Sequence, residues 1–258
     1  MRLLFSGVNP IDAGVRAGRV LPDEPGRFPM VLGWDGVGVV EAVGTGGVEG
    51  LSVGGRVMVM SKQPSSGVGL HAEFAALPAE QVVALPANVS FEAAAATPLA
   101  GVTALNAVEA LHLPAGSRVH VNNPRSAVGR FAVQIAGAVG LEVVGDPPAG
   151  GVDGAINVRG GEAARTTFAA VRDGGAYATV VPGWWRPGGV YAEARGVRPA
   201  VVENAPTRRD LERLVGWLAD GRLAPEVGAV LPLGDGAEAH RRLEAPGLTR
   251  KTLLDHRA

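Results

Sequence analysis

Apolar and polar positions along the chain change rhythm near residue 116. Before that point the apolar runs are short and broken by Gly and Pro. Strand-prone stretches recur at 2–6, 36–43, 56–60, 72–77 and 82–85. This spacing predicts a largely antiparallel, barrel-like unit. Ser90, with Glu92 in the first turn, then opens Ala-rich sequence as far as Leu111, read as two helical pieces kinked at Pro98. From Arg118 the rhythm alternates. Strands are expected at 118–122, 141–145, 153–158 and 176–181, with helices at about 127–139 and 162–172. Such alternation predicts parallel βαβ units. Residues 208–220 form an amphipathic pattern with Leu211, Leu214, Val215 and Leu218 on one face. A short helix at 235–244 and a strand at 252–254 that returns to the first unit complete the reading. The expected fold class is α/β, with a barrel-like β domain over 1–115 and 232–258 and a reduced, doubly wound parallel sheet over 116–231.

Length and composition narrow the function classes. A chain of 258 residues accommodates one large or two modest domains. Lys+Arg 24 against Asp+Glu 25 leaves a net charge of −1, so neither nucleic acid nor an anionic membrane surface is an expected partner. Cys 0 excludes disulfides and thiolate zinc sites, and none of the five histidines pairs with another at helical spacing, so no metal is expected. Neither a secretory signal nor an apolar stretch of membrane-spanning length is found. The expectation is a soluble, cytoplasmic protein.

The most informative chemistry follows the strand at 118–122. A loop, Asn123-Pro124-Arg125-Ser126-Ala127-Val128-Gly129, leads directly into a helix. Strand, tight loop and helix are the frame of the Gly-rich dinucleotide fingerprint, in which glycines let the backbone approach a pyrophosphate at the helix N-terminus. Here the first two glycine positions hold Asn123 and Ser126, and Gly129 alone is retained. Asn123 brings a Cβ where the backbone must come close, and Pro124 lacks an amide donor. Arg125 can pair with phosphate and Ser126 can donate its hydroxyl. The competing reading, preferred at this point, makes Ser126 a helix cap and Arg125 a solvated loop charge. The next strand runs into Asp146-Pro147-Pro148-Ala149-Gly150-Gly151 where a crossover helix is expected.

Several segments resemble the quinone-oxidoreductase and enoyl-reductase branch of the zinc-free medium-chain dehydrogenase/reductases. Gly7-Val8-Asn9-Pro10-Ile11-Asp12 resembles that branch's Gly-Val-Asn-Pro-x-Asp turn, and 32–44, opening Leu32-Gly33-Trp34-Asp35-Gly36-Val37-Gly38, its Gly-x-Asp-x-x-Gly-Val-Val segment. Thr97-Pro98-Leu99-Ala100-Gly101-Val102-Thr103-Ala104 and the closing stretches 237–244 and 250–254 extend the match over nearly the whole chain, in order. Against the family pattern an N-terminal hairpin is expected to be missing. About 30 residues, one crossover unit, are also expected to be missing between Gly145 and Val152. The resemblance implies a substrate site between two domains. It makes Asn9, Asp12 and His71 candidate catalytic residues, and Asp35, Lys62, Trp184 and Trp185 candidate substrate contacts. If the cofactor site is retained, Asn123, Arg125, Ser126, Ala127, Val128 and Gly129 would hold it. Each assignment has a plainer alternative: a turn cap for Asp12, a structural side chain for His71, a solvated loop for Lys62, and core packing for the two tryptophans. A homodimer joined through sheet edges is implied by resemblance, although the shortened sheet weakens that expectation.

With the glycine loop and the end of the second strand, where the resemblance places the adenosine site, both altered, the favoured reading is a redox-silent enzyme of secondary metabolism on this scaffold. It would cyclise, isomerise or dehydrate an apolar polyketide- or quinone-like substrate with no cofactor. The alternative is an NADPH-dependent quinone or enone reductase, and the second alternative a non-catalytic binding protein.

Overall fold

A computed structural model describes residues 1–19, 29–61, 67–181, 195–204, 206–245, 247 and 249–258. The chain divides into two compact units, Met1–Leu99 with Pro206–Ala258, and Ala100–Ala205.

In the first unit the short apolar runs become strands. β1 (Arg2–Val8), β2 (Asp35–Val39), β3 (Arg56–Met60) and β4 (Val82–Ala84) pair antiparallel in sequence. The C-terminal strand β11 (Lys251–Asp255) pairs antiparallel with β1, as its return to this unit required, and β10 (Val227–Pro232) lies parallel to β11. The sheet order is β10-β11-β1-β2-β3-β4. Leu3, Val57, Val59, Leu70 and Val82 form one core cluster of this unit. Residues 72–77 do not form the expected strand. Phe74 makes an isolated bridge to Arg2, and β11 joins β1 only from Phe5 onward, so only the first residues of β1 are left for this stretch to pair with.

Asn9-Pro10-Ile11-Asp12 was read as a turn and instead opens a helix, α1 (Pro10–Arg16). Pro at the first helical position and an Asn9/Asp12 capping box explain its start. Ser90 caps α2 (Phe91–Ala95) as expected, and α3 (Pro98–Glu109) begins at the proline that breaks the two pieces. α6 (Arg208–Ala219) belongs with the first unit, not with the 116–231 region to which it was assigned. Its apolar face, Leu211, Leu214 and Val215, is buried, and the helix packs against β4 and α2. The two units therefore divide at Leu99 and Pro206 rather than at 115 and 231. α7 (Gly236–Glu244) covers β11.

The second unit is the expected reduced parallel sheet. β5 (Arg118–Val121), β6 (Glu142–Val144), β7 (Val152–Asn157), β8 (Val171–Thr179) and β9 (Arg198–Val201) are all parallel, in the order β6-β5-β7-β8-β9. α4 (Ala127–Ala138) connects β5 to β6, and α5 (Gly161–Ala169) connects β7 to β8. Right-handed crossovers place these helices on opposite faces. The full dinucleotide fold has the order 3-2-1-4-5-6. Losing one crossover unit converts it to 2-1-3-4-5, the other common doubly wound order, which keeps a topological switch point at β5/β7. β9 escaped the sequence pattern because Pro199 interrupts it, a residue tolerated on an edge strand.

Candidate functional site

In open α/β sheets ligands settle outside the carboxyl ends of the strands, at the switch point. Here three polar residues end the apolar strand runs and cross-link those ends. Asn122 Nδ2 donates to Asn157 Oδ1 at 2.6 Å, and Asn157 Nδ2 donates to Thr179 Oγ1 at 2.9 Å. Asn122 Oδ1 accepts from Val158 N at 2.7 Å, and Asn157 Oδ1 also accepts from Gly160 N at 3.2 Å. All three side chains are buried, so this ladder fixes the loops that leave β5, β7 and β8. Beside it lies a cavity of about 470 Å³ lined by His120, Asn122, Asn123, Pro124, Val144 and Gly145, among others. Its size is that of an ordinary small-molecule site.

The loop keeps more of the fingerprint's backbone geometry than its glycine count suggests. Asn123 sits at φ 51, the left-handed conformation that the first glycine would supply and that Asn tolerates better than other side chains. Gly129 is required sterically: a Cβ there would lie 2.3 Å from the Asn123 carbonyl oxygen. Ser126 caps α4, its Oγ accepting from Gly129 N at 3.1 Å and donating to Asn123 O at 3.0 Å. The capping reading of Ser126 is thus the observed one, and it uses the Gly129 amide. Helix geometry leaves the Ala127 and Val128 amides, the first two of α4, without intrahelical acceptors. Arg125 is exposed in the loop, and its carbonyl accepts from Arg130 Nε at 3.0 Å. A dinucleotide fits this donor set: two amides at a helix N-terminus, one exposed guanidinium, and a cavity at the ends of β5 and β6. Pro124 contributes no donor.

The residues expected to be catalytic form a different arrangement, inside the first unit. Asn9 Nδ2 donates to Asp35 Oδ1 at 2.8 Å and to Gly7 O at 3.2 Å. Lys251 Nζ donates to Asn9 Oδ1 and, at 3.2 Å, to Asp35 Oδ2, which also accepts from Leu99 N at 3.0 Å. Asp12 accepts from Asn9 N at 2.8 Å and from Gly33 N at 3.0 Å. Asn9 is 2% exposed, Asp12 and Asp35 are 0%, and Lys251 is 5%. Gly7 makes this density possible, because a Cβ there would lie 2.5 Å from Asp35 Oδ1. Burial pushes the Asp12 carboxyl up to about 6, against the opposing pull of the Asn9 amide. His71 is partly exposed, places Nε2 3.3 Å from Gly7 O and meets His240 edge-on at 6.4 Å. Burial lowers the pKa of both histidines.

The structure therefore brings Asn9, Asp12, Asp35 and His71 together, but with the hydrogen-bonding atoms of Asn9, Asp12 and Asp35 already engaged. Their geometry is that of a weld between β1, α1, β2, β11 and the start of α3. Lys251 was read only as part of the closing strand. The signal was present, since it is one of two lysines in the chain and opens an apolar strand. Asn122, Asn157 and Thr179 were missed for the same reason, each being a polar residue at the end of an apolar strand run. Lys62, Trp184 and Trp185 lie outside the described residues. Among the described residues no three His, Cys, Asp or Glu side chains are grouped to hold a metal.

Two family models match the chain: the alcohol dehydrogenase GroES-like domain over residues 1–87 and the zinc-binding dehydrogenase family over residues 132–253. The quinone oxidoreductase of Pseudomonas aeruginosa is 36% identical over 140 residues, covering 54% of this chain and 41% of the relative. The chloroplast envelope quinone oxidoreductase homolog of Arabidopsis thaliana is 34% identical over 145 residues, covering 53% and 42% respectively. The chain spans between 32% and 42% of the length of the first curated relatives it matches. The solved quinone oxidoreductase from Coxiella burnetii shares the fold, with a TM-score of 0.87 over 98% of this chain and 89% of that one, at 21% identity. The two matched family models, the ordered motifs and the shared two-unit fold agree: the chain belongs to the medium-chain dehydrogenase/reductase superfamily, as a quinone-oxidoreductase-like protein with a shortened dinucleotide sheet.

Proposed function

We propose that this protein is a nicotinamide-dependent oxidoreductase acting on a quinone or enone. This reverses the preference drawn from the loop sequence alone. The observation that carries it is the loop after β5, where the left-handed Asn123 and the tightly packed Gly129 keep the turn into α4, beside the switch-point cavity that Asn123 and Pro124 line. The quinone oxidoreductase of P. aeruginosa and the chloroplast envelope quinone oxidoreductase homolog of A. thaliana, at 36% and 34% identity, support the same reading. A bound nicotinamide supplies a hydride to the substrate, and solvent supplies the accompanying proton. The chain's own residues would bind and orient it: the Ala127 and Val128 amides and the Arg125 guanidinium would hold the pyrophosphate, and the apolar cavity walls at Val121, Val133 and Val144 would keep water from the nucleotide.

Calorimetric titration with NADH and NADPH, followed by cofactor oxidation in the presence of small quinones and enones, tests this reading. Binding of either nucleotide with quinone-dependent turnover is the expected result. Absence of binding to both nucleotides would refute it. A second reading, the redox-silent enzyme, is favoured by Pro124 and by the missing crossover unit between β6 and β7. It predicts conversion of an apolar substrate with no nucleotide bound.

A further inference from the structure

Strand β11 serves different purposes on its two faces. Lys251 points into the Asn9–Asp35 network. Thr252, the next residue, points to the opposite face, where α7 covers the strand and Leu254 packs against Ala239 and Val8. Thr252 is 2% exposed, and its Oγ1 has no hydrogen-bond partner among the described residues. A buried hydroxyl left unpaired costs free energy that a partner recovers, so such a group marks a place where a polar ligand belongs.

A cavity of about 500 Å³ lies at this threonine, lined by Gly228, Ala229, Arg242, Ala245, Arg250 and Thr252, among others. All of these residues lie in the first unit, and none lines the switch-point cavity. We propose that this cavity is a second ligand site, one that takes a small phosphate monoester. Arg242 and Arg250 hold the phosphate, Thr252 Oγ1 bonds one of its oxygens, and the walls at Ala229 and Ala245 receive the organic body.

The two arginines arrive from different elements, Arg242 from the last turn of α7 and Arg250 from the position just before β11. Each is tied to a carboxylate through Nε: Arg242 to Glu238 at 2.9 Å and Arg250 to Glu226 at 3.1 Å. Those ties orient the guanidinium planes and leave the Nη groups for an oxyanion. Arg241 shares Glu238 with Arg242, so three guanidinium groups stand against two carboxylates in this cluster. A phosphate monoester carries about −1.5 to −2 at neutral pH and suits two guanidinium groups better than a singly charged carboxylate does.

The backbone makes room for this arrangement. β10 bulges at Gly228, so that Val227 pairs with Lys251 and Ala229 with Thr252. A Cβ on Gly228 would lie 2.7 Å from Arg250 Cβ, so glycine there lets Arg250 stand at the cavity wall. A volume of about 500 Å³ is that of a small-molecule site and far exceeds a bare phosphate, and the glycine and alanine walls fit an apolar body.

Titration calorimetry with phenyl phosphate, inorganic phosphate and benzoate tests the assignment without any turnover. Phenyl phosphate should bind most tightly of the three. Arg242→Gln and Arg250→Gln should each weaken it by about tenfold, the scale of one charge-assisted hydrogen bond. Added salt should weaken it too. Thr252→Val should lower the affinity severalfold yet raise the melting temperature of the free protein, because valine leaves no unpaired oxygen. A merely structural hydroxyl would give the opposite melting shift, and that result overturns the role of Thr252. Phenyl phosphate that gives no binding heat at millimolar concentration, or binds both arginine variants as tightly as the wild type, overturns the site. Inorganic phosphate bound as tightly as the ester overturns the organic body, and benzoate bound as tightly overturns the choice of a dianion.

Discussion

Replacing Lys251 by Met tests whether the buried Asn9–Asp35–Lys251 network is a structural weld. The ammonium is 3.2 Å from Asp35 Oδ2, with side chains 5% and 0% exposed. At an effective dielectric of about 20 that separation corresponds to roughly 5 kcal/mol of gross attraction. Methionine preserves most of the volume, so the cost is that of stranding a buried carboxylate, about 3–5 kcal/mol for pairs of this kind. Asp35 would keep two donors, Asn9 Nδ2 and Leu99 N, which places the expected loss near the lower end, about 3 kcal/mol. With an m-value of about 2–3 kcal/mol/M, the urea midpoint should fall by about 1–1.5 M. Urea titration followed by circular dichroism reads the midpoint. A companion Asp35→Asn variant and the double variant complete a cycle, whose coupling should exceed about 1 kcal/mol because the groups touch. A Lys251→Met loss below about 1 kcal/mol would show that the charge is hydrated and that the network is not a weld.

Three further predictions are open to measurement. Asp12 has its pKa raised from 3.8 to about 6, so the folded state holds a proton that the unfolded state has released between those values. Stability should therefore fall as pH rises from about 4 to 6, by up to about 3 kcal/mol from this group, and stay lower above it; Asp12→Asn should remove that slope in urea titrations across the range. Gly129→Ala would set a Cβ 2.3 Å from Asn123 O, so it should displace the loop, destabilise by about 1–3 kcal/mol and weaken nicotinamide binding; Asn123→Gly should instead be neutral or stabilising in thermal melts, its φ of 51 suiting glycine. Thr207→Ala should cost about 1 kcal/mol in urea titrations by removing the oxygen that accepts from Asp210 N at 3.2 Å at the start of α6.

Much was legible in the chain. The switch from short Gly- and Pro-broken runs to βα alternation gave both fold classes, and Ser90, Pro98 and Ser126 marked helix starts that the structure bears out. The loss of one crossover unit could be read from the Pro/Gly stretch at 146–151. These features are local: caps, kinks and periodicity act within a few residues, so their physics is written in neighbouring letters.

The tertiary structure decided what those letters do together. Asn9, Asp12 and Asp35 look reactive in one dimension, as carboxylates and an amide in family motifs. Only the fold shows that their hydrogen bonds are already spent: Lys251 on β11, 242 residues from Asn9, engages Asn9 and Asp35, and the Asn9 and Gly33 amides engage Asp12. In the same way the missing glycines suggested a dead nucleotide loop, whereas the left-handed Asn123 preserves the turn that a glycine would have made. α6 was assigned to the wrong unit because an amphipathic stripe states that a face will be buried but not against what. Periodicity fixes which side chains go inside; the partners they meet there depend on strand pairings between residues distant in sequence, which no local pattern encodes.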